Sequence, residues 1–279
     1  MTRFAVSLGA SAIVAVVVAA GCSSSSTSPS AGESNDAGSS GESSDAGSSV
    51  GPAADSAPSS SETDASSGDA KMPSPWVSLF DGALTSDWHM STISNQPGHD
   101  DPGHFAVEGT SLVAYPGTDL GLLWNAKPTP ADFVLEMEWK LSAADDNSGV
   151  FLRFPNVDSK AYDNTAWVAV DFGFEVQINE PGVPDGASQH TTGAIYSQSD
   201  QMFTRVVANA PGQWNQYSIR VEGQSYTVSL NGQQVTHFVN TAAAMTRGLA
   251  STPSVPSFLG LQTHTGNVAF RNIRIRAIP

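Results

Sequence analysis

Between Phe133 and Leu141 every second residue is apolar: Phe133, Leu135, Met137, Trp139 and Leu141 are separated by Val134, Glu136, Glu138 and Lys140. Successive side chains of a strand point to opposite faces, so this period of two describes a half-buried strand. From Trp76 onward the chain continues in short alternating runs broken by turns, with no long stretch of helical periodicity. A hairpin is expected over Ser225 to Phe238, because Asn231-Gly232 supplies the two positive φ angles of a type I′ turn. Trp214 to Glu222 reads as the strand before it. Near the C-terminus the apolar positions change parity, from Val268 and Phe270 to Ile273, Ile275 and Ala277, and a bulge at Arg271-Asn272 would return them to one face. Many short strands without intervening helices predict an all-β sandwich of two antiparallel sheets, a jelly roll. The stretches Phe154 to Val170 and Ala242 to Pro256 read as loops with at most a helical turn, placed to rim a site.

The first 70 residues read differently. Met1-Thr2-Arg3 is positive, Phe4 to Ala20 is apolar and small, and Ala19-Ala20-Gly21-Cys22 follows. Polar low-complexity sequence comes next without stop-transfer charges, which describes an export signal over residues 1–21 and not a spanning helix. Residues 22–70 hold Cys22 and a tract of Ser, Gly, Ala and Asp in which Val50 is the only large apolar side chain. Such a tract cannot bury enough surface to offset the entropy of ordering. As a flexible coil it would reach roughly 40 Å. Cys22 is the only cysteine, so the domain expected over residues 71–279 must stand on an apolar core without disulfides.

Charge narrows the partners. Without the leader and linker, 19 acidic and 11 basic residues remain, a net charge of −8. Nucleic acid and anionic membrane surfaces both select for clustered Lys and Arg, and this balance disfavours them. Arg271, Arg274 and Arg276 lie on one terminal strand and read as a solvated face.

Two segments carry polar groups on otherwise apolar strands. In Phe172 to Asn179, Phe172, Phe174, Val176 and Ile178 share one face, and Gly173, Glu175, Gln177 and Asn179 share the other. In Asn147 to Phe154, the same parity puts Val150, Leu152 and Phe154 on one face and Phe151 and Arg153 on the other, so Arg153 would meet Glu175 if the two strands were neighbours. Gln262 and His264 share a parity opposite Leu261. Asp145 and Asp146 offer hard oxygens of the kind calcium takes, or else form a polar turn. His99, Asp100, Asp101 and His104 lie among turn residues without regular ligand spacing. No cofactor motif and no Ser-His-Asp sequence signature is visible, so no cofactor is expected.

Ala19-Ala20-Gly21-Cys22 closely resembles the lipobox of bacterial lipoproteins, which implies cleavage before Cys22, lipidation of its sulfur and a membrane tether. The folded part resembles the bacterial 3-keto-disaccharide hydrolase domain family. The resemblance is carried, in order, by Trp76 to Gly82 with Trp88, Asp132 to Glu136, Asn147 to Arg153, Gly173 to Ile178, Thr192 to Tyr196, Gly212 to Asn215, Leu230 to Gly232, Leu259 to Gln262 and Phe270 to Ile275. It spans residues 76 to 278. It implies a fold like concanavalin A or laminin G, and cleavage of disaccharides or glycosides oxidised at C3. The chain departs from the family where many members carry an aspartate and this one has Asn179-Glu180, and in longer inserts around Lys160 and Thr252. Both bear on substrate choice.

A 3-keto group acidifies the C2 hydrogen, so a base can remove it and expel the C1 substituent, after which water adds back. This needs a base, an acid and donors for the developing enolate. Under the resemblance Glu175 is the base or acid, Arg153 holds the keto oxygen, and His264 is a second proton carrier. The bland alternative for the first two is a structural ion pair. Gln177, Asn179 and Gln262 would bind sugar hydroxyls, with Tyr196 and Trp124 as stacking platforms or else core aromatics. The implied partners are a 3-keto sugar and an enzyme class that oxidises it, and the domain is expected to act as a monomer. The alternative function is a lectin-like module that binds glycans without cleaving them.

Overall fold

The computed structural model describes residues 74–94, 97–241 and 246–279. The export signal, Cys22 and the linker lie outside the described residues.

Two antiparallel sheets face each other. The larger has nine strands, in the order β3 (His104–Glu108), β4 (Ser111–Tyr115), β14 (Val268–Ala277), β6 (Phe133–Leu141), β10 (Asn215–Glu222), β11 (Ser225–Leu230), β12 (Gln233–Val239) and β9 (Met202–Phe203), with β1 (Val77–Phe80) also on β14. The smaller has five, in the order β2 (Trp88–Met90), β5 (Gly121–Asn125), β13 (Phe258–Thr263), β7 (Ser148–Phe154) and β8 (Phe174–Ile178). The architecture is the expected all-β sandwich.

Local chemistry accounts for the registers. Asn231 and Gly232 both take positive φ, 50° and 81°, and close the β11–β12 hairpin. The register of β14 on β6 shifts between Arg271 and Arg274, with Asn272 at φ 53°, so Val268, Phe270, Ile273 and Ile275 all reach the core.

One apolar layer fills the space between the sheets. Leu135, Met137, Trp139, Tyr217 and Ile219 of the larger sheet meet Val150, Leu152, Phe174, Val176, Ile178, Leu259 and Leu261 of the smaller. Each fully buried side chain of this size stabilises the fold by about 1.5–3 kcal/mol relative to exposure, and this layer is what carries a domain without disulfides.

A second, smaller cluster lies on the other face of the five-stranded sheet. Leu122, Trp124, Phe151, Phe154 and Phe258 are covered there by Val157, Ala166, Val168 and Ala169. The covering residues come from the long insert, which contains the short helix α1 (Trp167–Phe172). The insert predicted as a rim therefore roofs half of the sheet's outer face and leaves the other half polar.

Candidate active site

The polar half is built by β7, β8 and β13. Glu175 stands opposite Phe151, and Gln177 opposite Gly149. The carboxylate of Glu175 lies over Gly149: a β-carbon there would come within 2.0 Å of Glu175 Oε1. Glycine is required by this close approach, not by its φ angle. The carboxylate thereby sinks into the sheet surface, and Glu175 is only 8% exposed.

Three buried oxygens in this region have no protein partner: Asn147 Oδ1, Glu175 Oε1 and Gln262 Oε1. They line one hollow of about 290 Å³ with Gln177, Tyr196 and His264. Buried acceptors left unpaired are costly, and a ligand rich in hydroxyl donors would satisfy them. Burial pushes the Glu175 carboxyl up to about 8, partly offset by the neighbouring Gln262 amide. A carboxyl with that value exchanges its proton near neutral pH, as a general base or acid must.

Tyr196 is set beside Glu175 by the backbone. Residues 193–196 run along the open edge of β8, with Tyr196 N–H donating to Glu175 O at 2.9 Å and Gln177 N–H donating to Ala194 O at 3.0 Å. Burial and the Glu175 charge raise the phenol above its ordinary range, so it stays a donor. His264 stands at the mouth, and its Nδ1 is 2.8 Å from Thr265 Oγ1. Desolvation lowers its pKa, with Asp119 opposing, and favours the neutral ring.

The structure thus brings together five of the expected residues, Glu175, Gln177, Gln262, Tyr196 and His264. Arg153 is a correction. It is the extra residue of a bulge on β7, where Leu152 pairs with Leu259 and Phe154 with Phe258, and it takes φ 54°. The bulge reverses the alternation, so Phe154 joins Phe151 on the outer face while Arg153 turns to the inner one. There Arg153 lies over the Tyr226 ring, donates to the carbonyls of Ala131 and Gly223, and pairs with Asp132 at 3.3 Å. It does not meet Glu175.

Asn179 lines neither of the hollows beside Glu175. It is fully buried, and its Oδ1 accepts from Val183 N–H at 2.9 Å, which shapes the turn after β8. Trp124 is buried in the second cluster, edge-on to Phe258 at 5.3 Å, and offers no open ring face to a sugar. Asp146 Oδ2 accepts from Ser142 and Ala143 N–H at 2.6 and 2.9 Å and caps the β6–β7 turn, while Asp145 is exposed. Among the described residues no group of three or more His, Cys, Asp or Glu side chains is arranged to hold a metal.

Sequence reasoning missed Asn147, Asp119 and Trp167 as lining residues. Trp167 is 43% exposed at the start of α1, and its signal was a lone tryptophan in the long insert. It also missed Ser197 and Arg247, which share with Glu175 and Tyr196 an adjoining hollow of about 250 Å³. A larger hollow of about 410 Å³ opens on the nine-stranded sheet beside Trp76, but two of its three carboxylates are already paired, Glu136 with Arg274 and Glu138 with Arg271, and the third, Asp81, is exposed. It therefore lacks the unpaired buried oxygens that mark the Glu175 hollow.

Two crystal structures from Parabacteroides distasonis ATCC 8503, each provisionally assigned as a glycosyl hydrolase, share this fold. One is 21% identical, with 73% of this chain and 94% of that chain covered and a TM-score of 0.55. The other is 22% identical, with 73% and 100% covered and a TM-score of 0.52. No curated protein matches the chain. The model of the family described as the 3-keto-alpha-glucoside-1,2-lyase-like domain matches residues 75–276, nearly all of the sandwich, and the chain belongs to that glycoside-processing family.

Proposed function

We propose that this domain cleaves glycosides whose sugar carries a keto group at C3, with Glu175 as the base that takes the C2 proton. The observation that carries the reading is the buried Glu175 carboxylate, seated over Gly149 among unpaired acceptors, where burial pushes it up to about 8. Family membership supports the same chemistry.

In this mechanism the keto sugar sits against β8 and β13. Gln177, Gln262 and Asn147 hold its hydroxyls, and Tyr196 donates to the C3 oxygen as the enolate develops. The C1–O bond then breaks and the C1 substituent leaves as an alcohol once protonated. Water adding across the resulting double bond returns the proton to C2 and restores Glu175. His264, neutral at the mouth, is suited to accept from a sugar hydroxyl or from that water. The two carboxylates at fixed separation that ordinary glycosidases use are not required.

Replacing Glu175 by Gln keeps the shape of the hollow and removes the base. Turnover should fall by at least about 10²-fold while keto-sugar binding survives. Binding by a parent protein that turns over no keto-glycoside would support the lectin-like reading instead. We also propose that the mature protein begins at Cys22 and is lipid-anchored on the exported side of a bacterial membrane.

A further inference from the structure

Asp185, His190 and Ser197 form a hydrogen-bonded chain that ends in the hollow beside Glu175. Asp185 Oδ1 is 2.7 Å from His190 Nδ1, and His190 Nε2 is 3.2 Å from Ser197 Oγ. The three residues belong to the segment after β8, and their spacing has no period that would announce them. His190 is buried, with its ring packed on Tyr196 at a centroid distance of 4.9 Å. Ser197 is exposed and lines the hollow shared by Glu175, Tyr196 and Arg247.

The backbone holds Ser197 in place at some cost. It takes φ 58°, a region that non-glycine residues seldom occupy and that persists where the surroundings over-determine it. Here the surroundings do so. Ser197 N–H donates to Gln189 O at 3.1 Å, and Gln198 N–H donates to Ile195 O at 3.2 Å. The Gln201 side chain accepts from Ile195 N–H and donates to the carbonyls of Ile195 and Gln198 at 2.6–2.8 Å.

Resting on the keto-glycoside reading, we propose that Ser197 is the acid for the leaving group, with His190 and Asp185 resupplying its proton. As Glu175 takes the C2 proton and the C1–O bond breaks, the departing oxygen takes the Ser197 hydroxyl proton. Ser197 Oγ in turn takes the proton of His190 Nε2, and the imidazolium becomes neutral imidazole. Asp185 stabilises the imidazolium through Nδ1–H and stays ionised. Water addition runs the relay backwards: the attacking water gives its proton to Ser197, Ser197 passes one to His190, and all three groups are restored. Ser197 touches the substrate and is catalytic; His190 and Asp185 act through it.

An acid matters only when the leaving group needs one, and that separates this role from a structural one. The test measures kcat/KM of the full chain and of its Ser197→Ala and Asp185→Asn variants on two 3-keto-glucosides, one with a methoxide leaving group and one with 4-nitrophenolate. Ser197→Ala should lose about 10²–10³-fold on the methyl glycoside and only a few-fold on the nitrophenyl glycoside. Asp185→Asn, at an exposed position, should show the same pattern more weakly. Equal losses on both substrates, or no loss on either, would overturn the proposal. A parent chain that cleaves neither substrate would overturn the keto-glycoside reading itself, and the relay with it.

Discussion

Glu175 Oε1 lies 2.0 Å from the place where a β-carbon on Gly149 would sit. Two adjacent strands thus share one volume, half of it filled by a carboxylate and the other half available only because its partner has no side chain. The burial of Glu175, its raised pKa and the shape of the hollow all follow from that relationship.

Gly149→Ala should therefore evict the carboxylate without unfolding the sheet, since the colliding atoms are the far end of a flexible side chain. Misplacing a catalytic group by about 1 Å can cost on the order of 10²-fold in rate. We expect kcat/KM to fall by at least that much with the melting temperature little changed, measured by steady-state kinetics beside thermal unfolding.

Glu175 binds its proton more tightly in the folded protein than in the unfolded chain, about 8 against 4.5. The stability it contributes is full below about pH 4.5, where both states are protonated, and is lost as pH rises through 8. Glu175→Gln has no such proton to lose. Denaturant titrations from pH 5 to 9 should show the variant gaining on the parent by a few kcal/mol toward the alkaline end. On the 4-nitrophenyl glycoside, whose leaving group needs no acid, kcat/KM of the parent should rise with pH about a midpoint near 8 as the base form of Glu175 appears.

Arg153 illustrates what alternation can and cannot convey. At the Asn272 bulge the apolar residues change parity on one face only, so the shift is legible in the sequence. At Arg153 both faces of the sheet are apolar, Val150 and Leu152 toward the main core and Phe151 and Phe154 toward the second cluster, so a phase slip leaves no trace in the pattern. On β8 one face is core and the other polar, and there Glu175 and Gln177 could be read directly. The burial of Trp124 depends on the covering insert, and the Asp185–His190–Ser197 chain depends on a loop fold, and neither has a periodic signature.

Arg153→Ala should accordingly be a stability variant. It leaves the carbonyls of Ala131 and Gly223 without the guanidinium that now serves them, while the partly exposed Asp132 carboxylate keeps the Gly223 N–H at 2.8 Å. Leaving acceptors without their donor costs about 1–3 kcal/mol. Denaturant unfolding should register that loss, while KM of the remaining folded protein stays near the parent value.

Trp167 stands at the rim of the Glu175 hollow with much of its surface open. If it stacks on the sugar, truncation should cost about 0.5–1.5 kcal/mol of binding, which is roughly 2- to 13-fold in affinity. Trp167→Ala is expected to raise KM by that factor with kcat unchanged. Calorimetric titration of the Glu175→Gln background with keto sugar isolates the binding component.

The keto requirement itself is tested most directly by incubating the purified protein with 3-keto-trehalose and, separately, with unoxidised trehalose in deuterated water, following products by NMR. Cleavage of the keto sugar alone, with deuterium appearing at C2 of the released product, is the predicted result. Cleavage of unoxidised trehalose at a comparable rate, or no cleavage of the keto sugar, would contradict the assignment of Glu175 as a base acting on a carbon acid.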